Sequence, residues 1–328
     1  MPTATEPASL APAAPPPAAP AAAPAPRRAR FDPAALWRNP RRRRDLWVFL
    51  AFAGPNVALI VVFCWRPVFQ NLQYSFLDWT LGNATARPVG LGNYIEFFTG
   101  SGPGILWTTF LFTVATVGGS MVLGLLVSLA LNRRLVGTTF ARSAVFAPFV
   151  LSGVGVGLVW LFIFDPIVGV LSHILRGLSL AVPDWFLQPG PALAMVCIVF
   201  IWKNLGYCAV IYLAGLQSVP SDLMEAAALD GAGPVRRFFR ITLPLLSPTT
   251  FFLLITTILS SLQAFDLIRI MTPANPGTRT LMFEVYLQAF GGYNRAGYSS
   301  ALATILFVIL VVITLLQMRY LERRVHYS

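Results

Sequence analysis

The chain is nearly without lysine and poor in histidine, cysteine and acid. Among 328 residues stand one lysine, Lys203, two histidines, three cysteines and thirteen acidic side chains. Lys203 sits in FIWKNLG with no glycine-rich phosphate loop before it, so the chain has no Walker A site and any ATP must be handled by another subunit. His173 and His326 are far apart, and Cys64, Cys197 and Cys208 all fall inside apolar runs. Neither a disulfide framework nor a metal site has ligands at usable spacing, and the cysteines are expected to be buried packing residues. HExxH, GxSxG and paired carboxylates within the apolar runs are all missing, which argues against an intramembrane enzyme.

What is abundant is apolar. Hydrophobic residues make up 56% of the chain and charged ones 11%, with a mean hydropathy of +0.68, well beyond what a water-soluble core requires. The net charge of +11 does not form a basic stripe interleaved with aromatics. The arginines cluster at the ends of apolar runs, so the charge reads as membrane topology and not as a nucleic-acid surface. Residues 1–26 are almost entirely Ala and Pro, a composition that cannot pack a core. Its prolines interrupt any signal-peptide h-region. With the arginine run that follows, residues 1–44 read as a disordered cytoplasmic tail, and residues 45–328 as one transmembrane domain.

Taking about 20 apolar residues as the length that crosses the hydrocarbon, six spans are expected, at Leu46 to Trp65, Ile105 to Leu131, Ser143 to Phe164, Pro191 to Leu213, Leu245 to Phe265 and Gly297 to Met318. The tail and alternate loops hold seventeen arginines, among them Arg133, Arg134, Arg142, Arg236, Arg237, Arg240, Arg319, Arg323 and Arg324. The opposite loops hold six, interspersed with acids such as Asp165, Asp266 and Glu284. Both termini are therefore expected on the cytoplasmic side. None of the six spans so drawn contains Asp or Glu, which argues against an ion-coupled secondary transporter. Small-residue patterns at Gly118, Gly119, Gly124 and at Gly153, Gly155, Gly157 suit close helix packing in lipid.

The longest cytoplasmic loop, Ala214 to Pro244, has helix grammar of its own. Ser221 after Pro220 suits an N-cap, and Asp222 and Glu225 place negative charge in the first turn, where the dipole favours it. Ala226 to Ala228 have the best helix propensity. Gly231 falls where a left-handed C-terminal cap is wanted, and Pro234 suits the first turn of a second helix. In that helix Arg236, Arg237 and Arg240 could meet lipid phosphates while Phe238 and Phe239 pack into the membrane boundary. On this grammar alone the loop is an amphipathic connector lying on the bilayer.

The order of its residues says more. Glu225-Ala226-Ala227, three residues, Gly231, nine residues, Ile241, one residue, Leu243-Pro244 resembles the EAA signature of ABC importer permeases. GLGNYIEFF (Gly90 to Phe98), the block Trp202 to Ala232, AFDLIRIMT (Ala264 to Thr272), VYLQAF (Val285 to Phe290) and the ending Arg319 to Tyr327 are similar to the carbohydrate-type, binding-protein-dependent members of that group, those of the maltose and glycerol-3-phosphate importers. The likeness runs over roughly Asp45 to Tyr327. Two positions depart from the family: Pro273 to Gly277 replaces the usual Gly-Gly-Pro after the fifth span, and Ser172 replaces the usual Asn after the third.

The resemblance implies an all-α integral membrane protein of the type I ABC importer permease fold in a bacterial inner membrane. Its implied partners are a cytoplasmic ATPase holding the ATP and magnesium, a second permease completing the pathway, an extracytoplasmic solute-binding protein and the surrounding lipid. It implies that Glu225, Ala226, Ala227, Gly231, Ile241, Leu243 and Pro244 couple the spans to that ATPase. The solute would be a sugar or sugar-like molecule, with a phosphorylated polyol such as glycerol 3-phosphate as the alternative. Trp202, Asn204, Tyr207, Ser261 and Gln263 have the stacking and hydrogen-bonding chemistry of a sugar pathway. The same residues also suit packing or interhelical hydrogen bonds. Lys203, a lone cation in a span, either snorkels, forms an internal ion pair or attracts an anionic solute.

Overall fold

The computed structural model describes residues 40–132 and 137–320. Most of the 1–44 tail, Arg133, Arg134 and the ending from Leu321 onward lie outside the described residues. The chain divides into two compact units, Met1–Val62 and Phe63–Ser328. The first contributes helix α1, Pro40–Ile60.

A π turn, Val61–Trp65, leads into α2, Arg66–Tyr74, and Trp47–Tyr74 is long and apolar enough to cross a membrane. The first apolar segment thus runs nine residues past the expected Trp65. Pro67 explains the π turn: proline lacks an N–H and its ring crowds the carbonyl one turn back, and a wider turn relieves both. Cys64 lies exposed on this turn, not buried as expected, while Cys197 and Cys208 are buried.

Short strands β1, Leu77–Asp78, and β2, Arg87–Pro88, pair antiparallel. Helix α3, Gly92–Thr99, follows, and then α4, Gly102–Leu131, whose thirty residues extend about 45 Å at 1.5 Å per residue.

The expected third span is not one helix. It divides into α5, Thr138–Val150, and α6, Gly153–Phe164, bent by 99°. Pro148 inside α5 removes a backbone donor, and Leu151 and Ser152 take extended conformations with ψ of 147° and 134°. The glycine-rich start of α6 offers little resistance to the break.

Helix α7, Val170–Gly177, precedes α8, Pro189–Gln217. Helices α4 and α8 run parallel in close contact: a Cβ on Gly124 would come within 2.5 Å of the Cys208 Cβ. At Gly206 the backbone of α8 approaches α5 so closely that any Cβ would collide with the Val145 carbonyl. Of the small-residue patterns, Gly119, Gly124, Gly153 and Gly157 lie against neighbouring helices, whereas nothing lies within 4 Å of a Cβ at Gly118 or Gly155, and Gly206 stood outside the patterns.

Beyond α8 come α9, Ser221–Leu229, α10, Pro234–Arg237, a second π turn, Phe238–Thr242, and α11, Leu243–Leu245. This π turn also ends directly before a proline-containing pair, Leu243-Pro244. Helix α12, Ser247–Leu262, is followed by α13, Asp266–Met271, a 3-10 turn, Pro276–Thr278, α14, Leu281–Phe290, and α15, Ala296–Tyr320. The fifth apolar segment extends from Ser247 to Met271, so it includes Asp266. An acidic residue therefore does lie in an apolar segment, because after a break at residues 263–265 a second short helix, α13, begins at Asp266, past the expected end at Phe265. The central core gathers Phe112, Met195, Phe200, Ile268, Met271 and Phe283.

One end of the bundle is closed by a cap of polar contacts. Asn93, buried in α3, donates from Nδ2 to the carbonyls of Ser75 at 2.9 Å and Leu77 at 3.0 Å. The N–H of Gly297 donates to the Trp79 carbonyl at 3.0 Å and that of Leu81 to the Asn294 carbonyl at 3.0 Å. Arg295 holds Glu96 through two bonds of 2.7 and 2.6 Å, and this guanidinium holds the Glu96 carboxyl below the usual carboxylate range. The two sequence departures make polar contacts of their own. Ser172 is buried and donates to the Asp165 carbonyl at 2.7 Å. Asn275 reaches the Phe186 carbonyl at 2.8 Å.

Candidate functional site

The break between α5 and α6 lies beside a cavity of about 370 Å³ walled by α8, the end of α12 and the start of α13. Lys203, Asn204, Ser260, Gln263 and Asp266 supply its polar groups, and Phe200 and Phe265 supply aromatic faces. Lys203 Nζ donates to the Phe149 carbonyl at 2.9 Å, and the ammonium lies 5.4 Å from the centre of the Phe149 ring. Lys203 therefore anchors the frayed end of α5 and does not snorkel to an interface. Asn204 spends its Nδ2 on the Phe200 carbonyl one turn back, at 2.8 Å. Its carbonyl oxygen is left for other use.

Three of the six expected pathway residues, Lys203, Asn204 and Gln263, thus meet in one cavity. The other three do not line it. Trp202 packs edge-to-face on Trp160 with ring centres 5.4 Å apart. Tyr207 stacks on Phe149 at 4.9 Å and its hydroxyl donates to Thr256 Oγ1 at 3.3 Å. Ser261 is buried, with its Oγ 2.9 Å from Thr116 Oγ1, and so ties α12 to α4. These are the packing and interhelical uses that the sequence left open.

At the opposite end of the bundle, α9 stands out from the spans with no buried residue. Leu229 is 89% exposed, Glu225 is exposed, and Ala227 is half-buried. Gly231 has φ of 77°. Its N–H donates to the Ala228 carbonyl at 3.0 Å, and that of Ala232 to the Ala227 carbonyl at 2.9 Å. This pair of bonds is the Schellman closure that needs a left-handed residue, which glycine adopts without strain.

The start of the helix differs from expectation. Pro220 occupies the N-cap with an extended backbone, and Ser221 is the first helical residue, its Oγ 3.3 Å from Asp222 Oδ1. Proline already holds the φ that the cap requires, so no side-chain cap forms. Arg237 turns inward, donating from Nη1 to the Met224 carbonyl at 3.3 Å, and so braces the two halves of the loop instead of reaching for lipid. Arg236 and Arg240 remain exposed. Ile241 and Leu243 are half-buried and Pro244 is exposed.

Residues 120–327 match the family described as binding-protein-dependent transport system inner membrane component. The chain belongs to this family. The permease is 36% identical to the sn-glycerol-3-phosphate transport system permease protein UgpA of Brucella abortus biovar 1 (strain 9-941), over 84% of this chain and 94% of that protein. It is 32% identical to the protein of the same name from Escherichia coli O157:H7, over 87% and 97%. In fold it is similar to a chain of a bacterial ABC transporter involved in the import of the acidic polysaccharide alginate, with a TM-score of 0.75, 22% identity, and coverage of 88% of this chain and 99% of that one.

The permease is thus a multi-pass inner-membrane transport subunit. Its cavity also holds Ser260, Phe200, Phe265 and Asp266, which sequence reasoning misses, and Asp266 among them reads from sequence as an external acid. Asp266 follows AF and is followed by Leu267, Ile268, Ile270 and Met271 with Arg269 among them, and that apolar weighting is the signal that could have moved it into the fifth apolar segment.

Proposed function

We propose that the chain is the permease subunit of an ATP-binding-cassette importer that carries a sugar or sugar-like solute across the cytoplasmic membrane, while a separate ATPase subunit hydrolyses ATP. The observation that carries this reading is α9: a short helix closed at its C-terminal end by its own backbone, presenting Leu229 and Glu225 outward with no residue buried. An isolated helix of nine residues is marginal alone, and an apolar side chain left open to water beside small alanines suits a groove in a partner protein. Glu225, Ala226, Ala227 and Gly231 would make that contact. Ile241, Leu243 and Pro244 would join it to α12.

A second permease would complete the pathway, an extracytoplasmic binding protein would deliver the solute, and both termini would face the cytoplasm. Solute would pass the cavity at Lys203, Asn204 and Gln263, with Trp202, Tyr207 and Ser261 supporting its walls. The names of the relatives favour glycerol 3-phosphate as the second reading.

Purification of the intact complex from membranes, followed by identification of its subunits, tests the assignment. One ATPase and a second permease are expected to co-purify, and a stable complex lacking any ATPase would overturn the reading.

A further inference from the structure

Helix α9 stands nearly clear of the spans behind it. A cavity of about 460 Å³ opens between them, bordered by Leu129 and Asn132 at the end of α4, Leu216 of α8, Met224 and Glu225 of α9, and Arg237. Packing passes on a displacement only where surfaces touch, and here α9 faces open space. On the α8 side the chain runs through Pro220 in an extended conformation, with φ of −60° and ψ of 128°. Helices α8 and α9 are therefore not one continuous rod.

What does tie α9 to its surroundings converges on one residue. Among the described residues, two side-chain hydrogen bonds reach α9 from another element, and both end on Met224. Arg237 Nη1 donates to its carbonyl at 3.3 Å, and Thr242 Oγ1 donates to its thioether sulfur at 3.9 Å. The first is the stronger, because its donor is charged and sulfur is a weak acceptor. The Met224 carbonyl has a second lone pair, so it accepts from Arg237 without leaving the helix ladder. The Nε of Arg237 is buried with no hydrogen-bond partner among the described residues, so the side chain is drawn inward against a desolvation cost. Its neighbours Arg236 and Arg240 stay exposed.

The receiving side leads directly into the fifth apolar segment. Arg237 is the residue before the π turn Phe238–Thr242, which runs on through α11 to α12. The buried Thr242 accepts at its carbonyl from the N–H of Leu246 at 2.9 Å, and the fully buried Leu246 packs in one cluster with Leu253 of α12. The path from Met224 to α12 is thus bonded at each step, whereas the path to α4 crosses the cavity.

We propose that Arg237 is the strut of the coupling loop: by holding Met224 it makes a displacement of α9 move α12 in preference to α4 and α8. The inference rests on the importer reading above and deepens it by naming the positioning residue that carries the motion.

The test uses the complete importer in proteoliposomes with its binding protein. Solute moved per ATP hydrolysed is measured with maltose and sn-glycerol 3-phosphate as probes, at matched membrane levels. Arg237→Met keeps the apolar stem and removes the donors, and Arg237→Lys restores one donor. Arg237→Met is expected to retain the ATPase and hydrolyse ATP while moving about tenfold less solute per ATP, the scale of one hydrogen bond to a charged group. Arg237→Lys should recover part of that loss. A wild-type ratio in Arg237→Met, a parallel fall of uptake and hydrolysis, or an Arg237→Lys no better than Arg237→Met overturns the strut. Thr242→Val, a like-shaped change that removes the other contact on Met224, is expected to lower the ratio by about threefold. It decides alone where Arg237→Met does not reach the membrane, and an unchanged ratio then overturns the proposal.

A second arm needs neither solute nor hydrolysis. In the complex as purified from membranes, Arg237→Met should quicken hydrogen exchange at residues 222–229 and leave the ends of α4 and α8 at wild-type rates. Unchanged exchange in α9, or equal quickening in all three helices, overturns the strut. Absence of an ATPase from the wild-type complex would instead sink the importer reading, and the exchange rates would still judge Arg237.

Discussion

At the loop end of the bundle, α9 is terminated by bonds from Gly231 to Ala228 and from Ala232 to Ala227, all within one short stretch of chain. At the cap end the bonds reach far: from Asn93 to Leu77 across 16 positions, from Arg295 to Glu96 across 199, and from Asn71 to the Ser300 carbonyl across 229. The turn that ends α9 thus depends only on residues next to it in sequence. A cap built from long-range bonds holds only when the whole bundle is in register. The permease therefore has a locally terminated element at one end and a bundle-dependent one at the other, which suits a docking helix opposite a lid of loops.

The largest effect on this contrast is expected from Gly231→Asp. Its φ of 77° is a conformation that side chains rarely adopt, so the Schellman closure should fail locally while the cap end and the membrane level stay unchanged. Uptake is expected to fall by more than about 30-fold, the loss of an interface hot spot worth about 2 kcal/mol, and less ATPase should co-purify. Wild-type uptake at equal expression would remove the basis for assigning α9 to coupling.

Next in size is Gly206→Leu, midway between the two ends. Its side chain must displace the Val145 backbone, and overpacking of this kind costs about 1–3 kcal/mol or more. Thermal melting of the purified complex should drop for this variant, whereas Gly155→Leu, where nothing lies within 4 Å, should melt like the wild type.

Asn93→Ala probes the cap directly. It removes two hydrogen bonds and leaves the Ser75 and Leu77 carbonyls without that partner, at a cost of about 1–3 kcal/mol. Hydrogen exchange should quicken around residues 75–81 and 294–297 and stay unchanged in α9. Equal acceleration at both ends would break the comparison.

The smallest effect concerns Glu96 and Arg295, a half-exposed pair worth no more than about 1 kcal/mol. Glu96 titrates lower in the folded protein than in the unfolded chain, so its contribution is present at neutral pH. It is lost as pH falls through that lowered value, below the ordinary carboxylate range. Melting measured from pH 7 down to about pH 3 should show a small acid-side loss that is absent in Arg295→Met.

The same contrast explains what could be read in advance. Helix α9, its glycine closure and the positions of the long spans depend on residues close together in sequence, so periodicity and turn chemistry reveal them. The bend at Leu151 and Ser152 does not announce itself, because the apolar run continues through Pro148 without any change in composition. Asp266 looked external for a related reason: a polar residue at the end of a run reads as its boundary until the partner that tolerates it is known. Trp202, Tyr207 and Ser261 have the chemistry of a binding site but spend it on Trp160, Phe149 and Thr116. That spending is decided by helix packing between distant segments. The Asn93, Arg295 and Asn275 contacts are hidden for the same reason.

The π turn at Phe238–Thr242 gives the region between the loop and α12 a particular mechanical character. A regular helix is a shaft, passing on a push along its axis with little loss. Here the shaft carries one widened turn and then Pro244 and Pro248, each without a backbone donor, on either side of Leu246. Such a linkage is stiff in tension and yielding in bending, like a universal joint. A displacement of α9 would arrive at α12 as a tilt and not as a thrust, and a tilt of α12 swings Ser260 and Gln263, at its far end, across the cavity they line.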